Sequence, residues 1–221
     1  MEKQYGGLRP LRIHELRVEP GTVCALIGFD LPASETFINL ISGAVLPDAG
    51  EVVTLGQPTS SIVDADRWLK FVEQFGFVSV RIALLESMTV LQNLALPFGL
   101  ELDPVPLDVT LKVRALASET GIAEADFSVI AGEAGQVLQA RLRLARALAL
   151  NPAVLVLEHP TAALSPAEAA AYAARVSGIG EKRKLTVVAL SMDEKFGAAL
   201  GGRVLVWEPA TGALKERRRW F

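Results

Sequence analysis

One cysteine in 221 residues leaves no partner for an internal disulfide and fits a reducing compartment. That residue, Cys24, lies in the apolar run 23–27, so a packed core thiol is expected rather than a reactive one. Charge of one sign is also lacking: the net charge is -3, which gives no general pull toward nucleic acid or anionic lipid, and no nucleic-acid partner is expected. No uninterrupted apolar run approaches the ~20 residues that cross a bilayer. The opening Met1-Glu2-Lys3-Gln4-Tyr5 has neither the basic start nor the apolar stretch of a secretory signal. A cytoplasmic protein is expected, reaching the inner membrane only peripherally and through a partner. There is no internal repeat and no low-complexity tract. What is present in quantity is apolar: 51% of residues are hydrophobic, which excludes a disordered chain and supplies one domain with a sizeable core.

Alternating apolar residues predict a strand over Leu11 to Val18, ended by Pro20-Gly21. A buried strand follows from Thr22 to Ile27, then a loop at Gly28 and a helix from about Ser34 to Ser42. Gly43 and the segment Pro47 to Gly50 end that helix and lead to a strand over Glu51 to Leu55. Helical spacing spans Ile62 to Gln74, and a short strand spans Phe75 to Val80. Residues 81–149 read as mostly helical, with helices over Val109 to Glu119 and Val137 to Leu150. Strand Ala153 to Leu157, helix Pro166 to Ile179 and strands Thr186 to Leu190 and Arg203 to Trp207 complete the pattern. Strands alternating with helices argue for a mostly parallel sheet covered on both faces. The all-helical middle argues for a lobe inserted between its halves. The tail from Lys215 to Phe221 is basic with two aromatics and reads as a frayed end or as a docking tail.

Three stretches, in this order and at this spacing, resemble the ABC transporter ATPase family. They are L-I-G-F-D-L-P-A-S-E-T (26–36) with its following helix and strand, F-G-F-V-S-V-R-I-A-L-L (75–85), and A-R-L-R-L-A-R-A-L-A-L-N-P-A-V-L-V-L-E-H-P-T (140–161). The resemblance covers essentially the whole chain, with a subgroup likeness to lipid- and lipoprotein-transport ATPases. It implies a P-loop NTPase-like α/β fold of the ABC type, with two lobes in a single domain over 1–221. The core lobe would hold about 1–80 and 150–221, and the helical lobe about 81–149.

Measured against the family's motifs, the chemical positions differ. The family's phosphate loop reads G-x-x-G-x-G-K-[ST]-[ST]; its backbone N–H groups cradle phosphates, its lysine reaches them and the next hydroxyl holds magnesium. Here Gly28 is followed by Phe29, Asp30, Leu31, Pro32, Ala33, Ser34, Glu35 and Thr36. Leu31 and Ala33 stand at glycine positions, Pro32 has no N–H, Ser34 replaces the lysine and Glu35 the magnesium hydroxyl; only Thr36 matches. A carboxylate ~4 Å from a phosphate charge costs on the order of 4 kcal/mol at an effective dielectric of ~20. A carboxylate in the first turn of a helix, by contrast, is favourable. Asp30 or Glu35 is therefore expected to fill the anion hole from within, unless both are ordinary solvated carboxylates.

At the acidic strand end, Glu158 replaces the family's Asp and His159 its catalytic Glu. A histidine can act as a base at neutral pH, but a structural hydrogen bond is the favoured reading. Ala134-Gly135-Gln136-Val137-Leu138 replaces the signature segment, Val80 the magnesium-sensing glutamine, Ser165 the aspartate of the Ala-Leu-Asp loop, and Met192 the switch histidine. Val80 and Met192 are read as simply packing. Tyr5, in Tyr5-Gly6-Gly7, resembles the family's adenine-stacking aromatic, with a frayed terminal residue as the equal alternative.

The leading expectation is a non-catalytic member of the family, with no catalytic residue, metal or cofactor expected. It would be a subunit or scaffold joined to an ABC-type ATPase or a membrane permease, with a homodimer also open. A divergent ATPase using ATP and magnesium through Glu158, His159 and Thr36 is the first alternative, with Arg81 the nearest candidate cation. A regulator binding another ligand in the former nucleotide cleft is the second.

Overall fold

The computed structural model describes residues 1–217. In chain order its strands and helices are β1 (Glu2–Lys3), β2 (Leu11–Arg12), β3 (Val23–Ile27), α1 (Leu31–Ile41), β4 (Val53–Thr54), β5 (Gln57–Pro58), α2 (Ala65–Val72) and β6 (Phe75–Val78). There follow α3 (Val90–Ala95), α4 (Leu107–Thr120), α5 (Gln136–Leu148), β7 (Val154–Glu158), α6 (Pro166–Arg183), β8 (Thr186–Ser191), α7 (Glu194–Ala199), β9 (Arg203–Glu208) and β10 (Ala213–Glu216). The central sheet has the order β10-β9-β3-β8-β7-β6 and is parallel except for β10 at its edge. Its inner strands are continuous apolar runs because both faces are covered. On one face Ala25, Leu155, Leu157, Val187 and Ala189 pack with side chains of α3 to α7. On the other, Cys24, Leu26, Val156, Val188 and Leu190 pack with Phe37, Leu40 and Phe71 of α1 and α2. Cys24 is 2% exposed, and burial pushes its thiol up to about 11.

Gly76 explains how the helices attach to the sheet edge: a Cβ there would lie 2.2 Å from the carbonyl oxygen of Ala147, so β6 and α5 approach at backbone distance. No helix among the described residues is long and apolar enough to cross a membrane.

Several elements differ from the sequence expectation. The strand expected over Leu11 to Val18 forms a ladder only at Leu11–Arg12, and the one over Glu51 to Leu55 only at Val53–Thr54; beyond them there are isolated contacts, Ile13 N–H to the Met1 carbonyl, His14 N–H to the Gly212 carbonyl and Thr59 N–H to the Val52 carbonyl. Helix α1 starts at Leu31 instead of Ser34. The N-terminus is tied down: the Met1 ammonium donates to the Ile13 carbonyl at 2.8 Å and β1 pairs with β2. Of the basic tail, Lys215 and Glu216 belong to β10, and Lys215 pairs with Glu208 at 2.5 Å; residues 218–221 lie outside the described ones.

Candidate functional site

In a parallel sheet, ligands and catalytic groups gather beyond the carboxyl ends of the strands. The sequence-predicted residues from β3, β6, β7 and β8 meet there. The exit from β3 is fixed first. Gly28 adopts φ 93°, and Phe29 turns fully inward, stacking on Trp207 at 4.7 Å and meeting Phe37 edge-on at 5.7 Å. Asp30 then caps α1: its carboxylate accepts from the Ala33 N–H at 2.9 Å, and its carbonyl from the Ser34 N–H at 2.9 Å. With Asp30 as cap, Pro32 in the first turn and no glycine at 31 or 33, the helix gains an extra turn. The Thr36 hydroxyl donates to the Pro32 carbonyl at 2.8 Å and so turns onto its own helix.

Two further contacts close the space in front of this turn. Ser34 is fully buried, and its hydroxyl is hydrogen-bonded to His159 Nε2 at 3.2 Å, the imidazole tautomer deciding which donates. His159 itself has φ 44°, and its N–H donates to the Leu190 carbonyl at 3.0 Å. Glu158, 1% exposed, accepts from the Ser79 hydroxyl and, in a two-pronged contact, from Arg81 Nε at 3.0 Å and Nη2 at 2.8 Å. The third nitrogen of Arg81, Nη1, reaches Glu35 at 2.6 Å. One guanidinium thus links α1, β7 and the segment leaving β6. Beside it lies a cavity of about 60 Å³ lined by Ser79, Val80, Gln136, Arg143, Glu158 and His159, well under the ~300–1,000 Å³ of small-molecule pockets. Arg143 Nε is buried without a partner there, and burial lowers its pKa.

The remaining positions are peripheral. Gly135 is the cap residue of α5, with Gln136 and Val137 in its first turn. Ser165 caps α6 reciprocally with Glu168, whose pKa is lowered by that hydrogen bond. Tyr5 is half-buried with its ring folded over Gly7; burial first, and the nearby Asp30 carboxylate second, raise its pKa. Of the two carboxylates expected at this helix end, Asp30 caps α1 and Glu35 pairs with Arg81 instead. Two expectations need correction. Val80 and Met192 do not pack but are 54% and 61% exposed, since both follow strand ends that project beyond the core. Arg81 sits in the middle of the site. Ser79 was not singled out from sequence: a serine at a strand end gives no signal until Glu158 is seen beside it. No cluster of three or more acidic, histidine or cysteine side chains with metal-binding geometry occurs among the described residues.

The sequence profile of the ABC transporter family matches residues 11–162, more than half of the chain. The protein belongs to the ABC transporter family. Among similar curated proteins, the methionine import ATP-binding protein MetN 1 of Pseudomonas syringae pv. syringae is 30% identical over 86% of this chain and 55% of its own length. The sulfate/thiosulfate import ATP-binding protein CysA of Synechococcus elongatus is 30% identical over 93% of this chain and 58% of its own length. The chain therefore spans a little over half the length of these relatives. Among solved structures, the dimeric bacterial ABC transporter cassette MJ0796 superposes with a TM-score of 0.78 at 22% identity, covering 100% of this chain and 97% of that one. CbiO1 of Clostridium perfringens, part of the ABC transporter complex cbiONQ, gives 0.76 at 21% identity, over 90% and 78%. At these identities the structural likeness speaks to the fold.

Proposed function

We propose that this chain is a non-hydrolysing cassette subunit of an ABC transport system, working as a scaffold on a membrane permease or beside an active ATP-binding partner. The observation that carries this reading is the Arg81 bridge between Glu35 and Glu158, set in front of a helix end already capped by Asp30. A triphosphate cradle needs free N–H groups and a lysine. Here Pro32 has no N–H, those of Ala33 and Ser34 are committed to Asp30, and Ser34 pairs with His159. The side chains that would face magnesium and phosphate are already paired with one another through Arg81. These residues do not fit ATP and magnesium, and we route no catalytic step through them. In this reading residues 1–80 and 150–217 form the core lobe, residues 81–149 the helical lobe, and the subunit works on the cytoplasmic side of the membrane.

The curated relatives favour a second reading, because both are named as ATP-binding import proteins. On it the chain binds and hydrolyses ATP by an altered arrangement, with His159 the candidate base and Arg81 released from Glu158 on binding. Phosphate release from magnesium-ATP, measured on the wild type and on His159→Ala, separates the two. Background release from both supports the scaffold. Turnover by the wild type that His159→Ala abolishes establishes the second reading.

A further inference from the structure

A groove of about 310 Å³ lies along β6, at one edge of the central sheet, between that strand and the last turns of α5. Its lining is mostly apolar, with Phe77 from β6 and Leu84 and Leu96 from the helical segments that follow it. Ile82 and Leu150 also line it and are 42% and 59% exposed, so apolar surface is presented to solvent here. Two guanidiniums stand in this apolar wall. Arg143 and Arg146 lie three residues apart on α5, on one face of the helix, and both line the groove. Neither forms an ion pair with a described carboxylate. Arg146 donates from Nη1 to the Ala83 carbonyl at 2.9 Å; Arg143 has no hydrogen bond among the described residues, and its Nε is buried. Glu73 lines the groove and Glu86 lies near Arg143, yet neither reaches ion-pair distance of these guanidiniums. Burial lowers the pKa of both arginines, and for Arg146 the charge of Arg143 adds to the lowering. Two like charges held half out of water beside one another are unfavourable, and an anion placed between them relieves both desolvation and repulsion.

We propose that this groove binds a small amphiphilic anion, a carboxylate carried on a short apolar chain. The carboxylate lies between Arg143 and Arg146 and accepts from their free N–H groups, a geometry that the planar guanidinium suits. The chain lies along Phe77, Leu84 and Leu96. Size favours a small molecule: the groove sits at the lower end of the ~300–1,000 Å³ of small-molecule sites. A single turn of helix, ~10 Å across and ~5.4 Å long, is already larger. Ser79 and Arg143 also line the small cavity beside Glu158, so a ligand here sits next to the Arg81 bridge. The proposal goes beyond the scaffold reading and stands whether or not the carboxyl end of the sheet binds ATP.

Calorimetry on the wild type with octanoate, octanol, octylamine and acetate tests it, each kept below its micellar range. Octanoate is expected to bind about tenfold more tightly than octanol, the margin of charge-assisted hydrogen bonds, and molar salt should narrow that gap. Octylamine should bind more weakly than octanol, and acetate, the head without the chain, should give no heat at the same concentrations. Arg143→Met/Arg146→Met should bring octanoate down to the level of octanol while octanol binding is kept. Leu96→Gln, with both arginines present, should weaken octanoate and octanol by the same factor, and the wild-type comparison needs no variant to fold. No heat from octanoate up to millimolar concentration, equal binding of octanoate and octanol, or an octanoate preference that survives the double arginine variant overturns the proposal. Acetate binding as tightly as octanoate overturns it too, since that marks a site for a bare anion.

Discussion

At the carboxyl ends of β3, β6 and β7, Asp30, Ser34, Glu158 and Arg81 each find a partner within the chain. At the amino ends of β6, β7 and β8, Glu15 and Glu51 line a cavity of about 660 Å³ and have no ion-pair partner among the described residues. The family's chemistry is expected at the first end, yet that end is filled by the protein's own side chains, and the open volume lies at the second. On the scaffold reading proposed above, a family fold does not by itself locate a working site. What locates it is whether the polar groups there are left free for something else.

The comparison breaks most visibly at Arg81. Replacing it by methionine leaves Glu158 buried without its cation. A broken buried pair costs about 3 kcal/mol at the lower end of the usual range, taken because Arg81 is 40% exposed. For a domain of this size that is a fall in melting temperature on the order of 10 °C by calorimetry. Adding Glu158→Gln to that variant should recover part of the loss. A drop under about 1 kcal/mol would mean that water already serves Glu158 and the end is not closed. Asp30→Ala comes next, at about 1 kcal/mol for a lost helix cap, read from urea unfolding midpoints. Smallest is Val53→Ser at the open end. Val53 is 56% exposed, so the change should stay within about 0.5 kcal/mol; a larger loss would show that this wall is packed in solution.

The sequence carried the fold well where burial wrote it as apolar runs. Strands β3, β7, β8 and β9 fall within a residue of expectation, α5 lies close to it, α1 begins three residues before it and α6 ends four residues beyond it. It carried α7 and β10 poorly: α7 is six residues long, too short to show a period, and β10 is a half-exposed edge strand. At the site, the substitutions at Leu31, Pro32, Ala33 and Ser34 were legible as departures from a motif. Their consequence, an extra helical turn capped by Asp30, depends on Phe29 being drawn into the core against Trp207, 178 residues away in sequence (207 − 29). The pairing of Arg81 with Glu158 is likewise tertiary, since 77 residues separate them. The strands expected over Leu11 to Val18 and Glu51 to Leu55 form ladders of only two residues each, in the separate pairs β1-β2 and β4-β5, because a strand pattern states a preference and only a neighbour satisfies it.

The central claim is that the carboxyl end of the sheet is occupied by the protein's own groups, and magnesium-ATP calorimetry tests it most directly. The wild type is to be compared with the variant Leu31→Gly/Ala33→Gly/Ser34→Lys/Glu35→Ser. No heat from the wild type up to millimolar ATP is the predicted result, whether or not the variant binds. Micromolar binding by the wild type would contradict the account, because Arg81 and Asp30 would then have to yield their partners to the nucleotide.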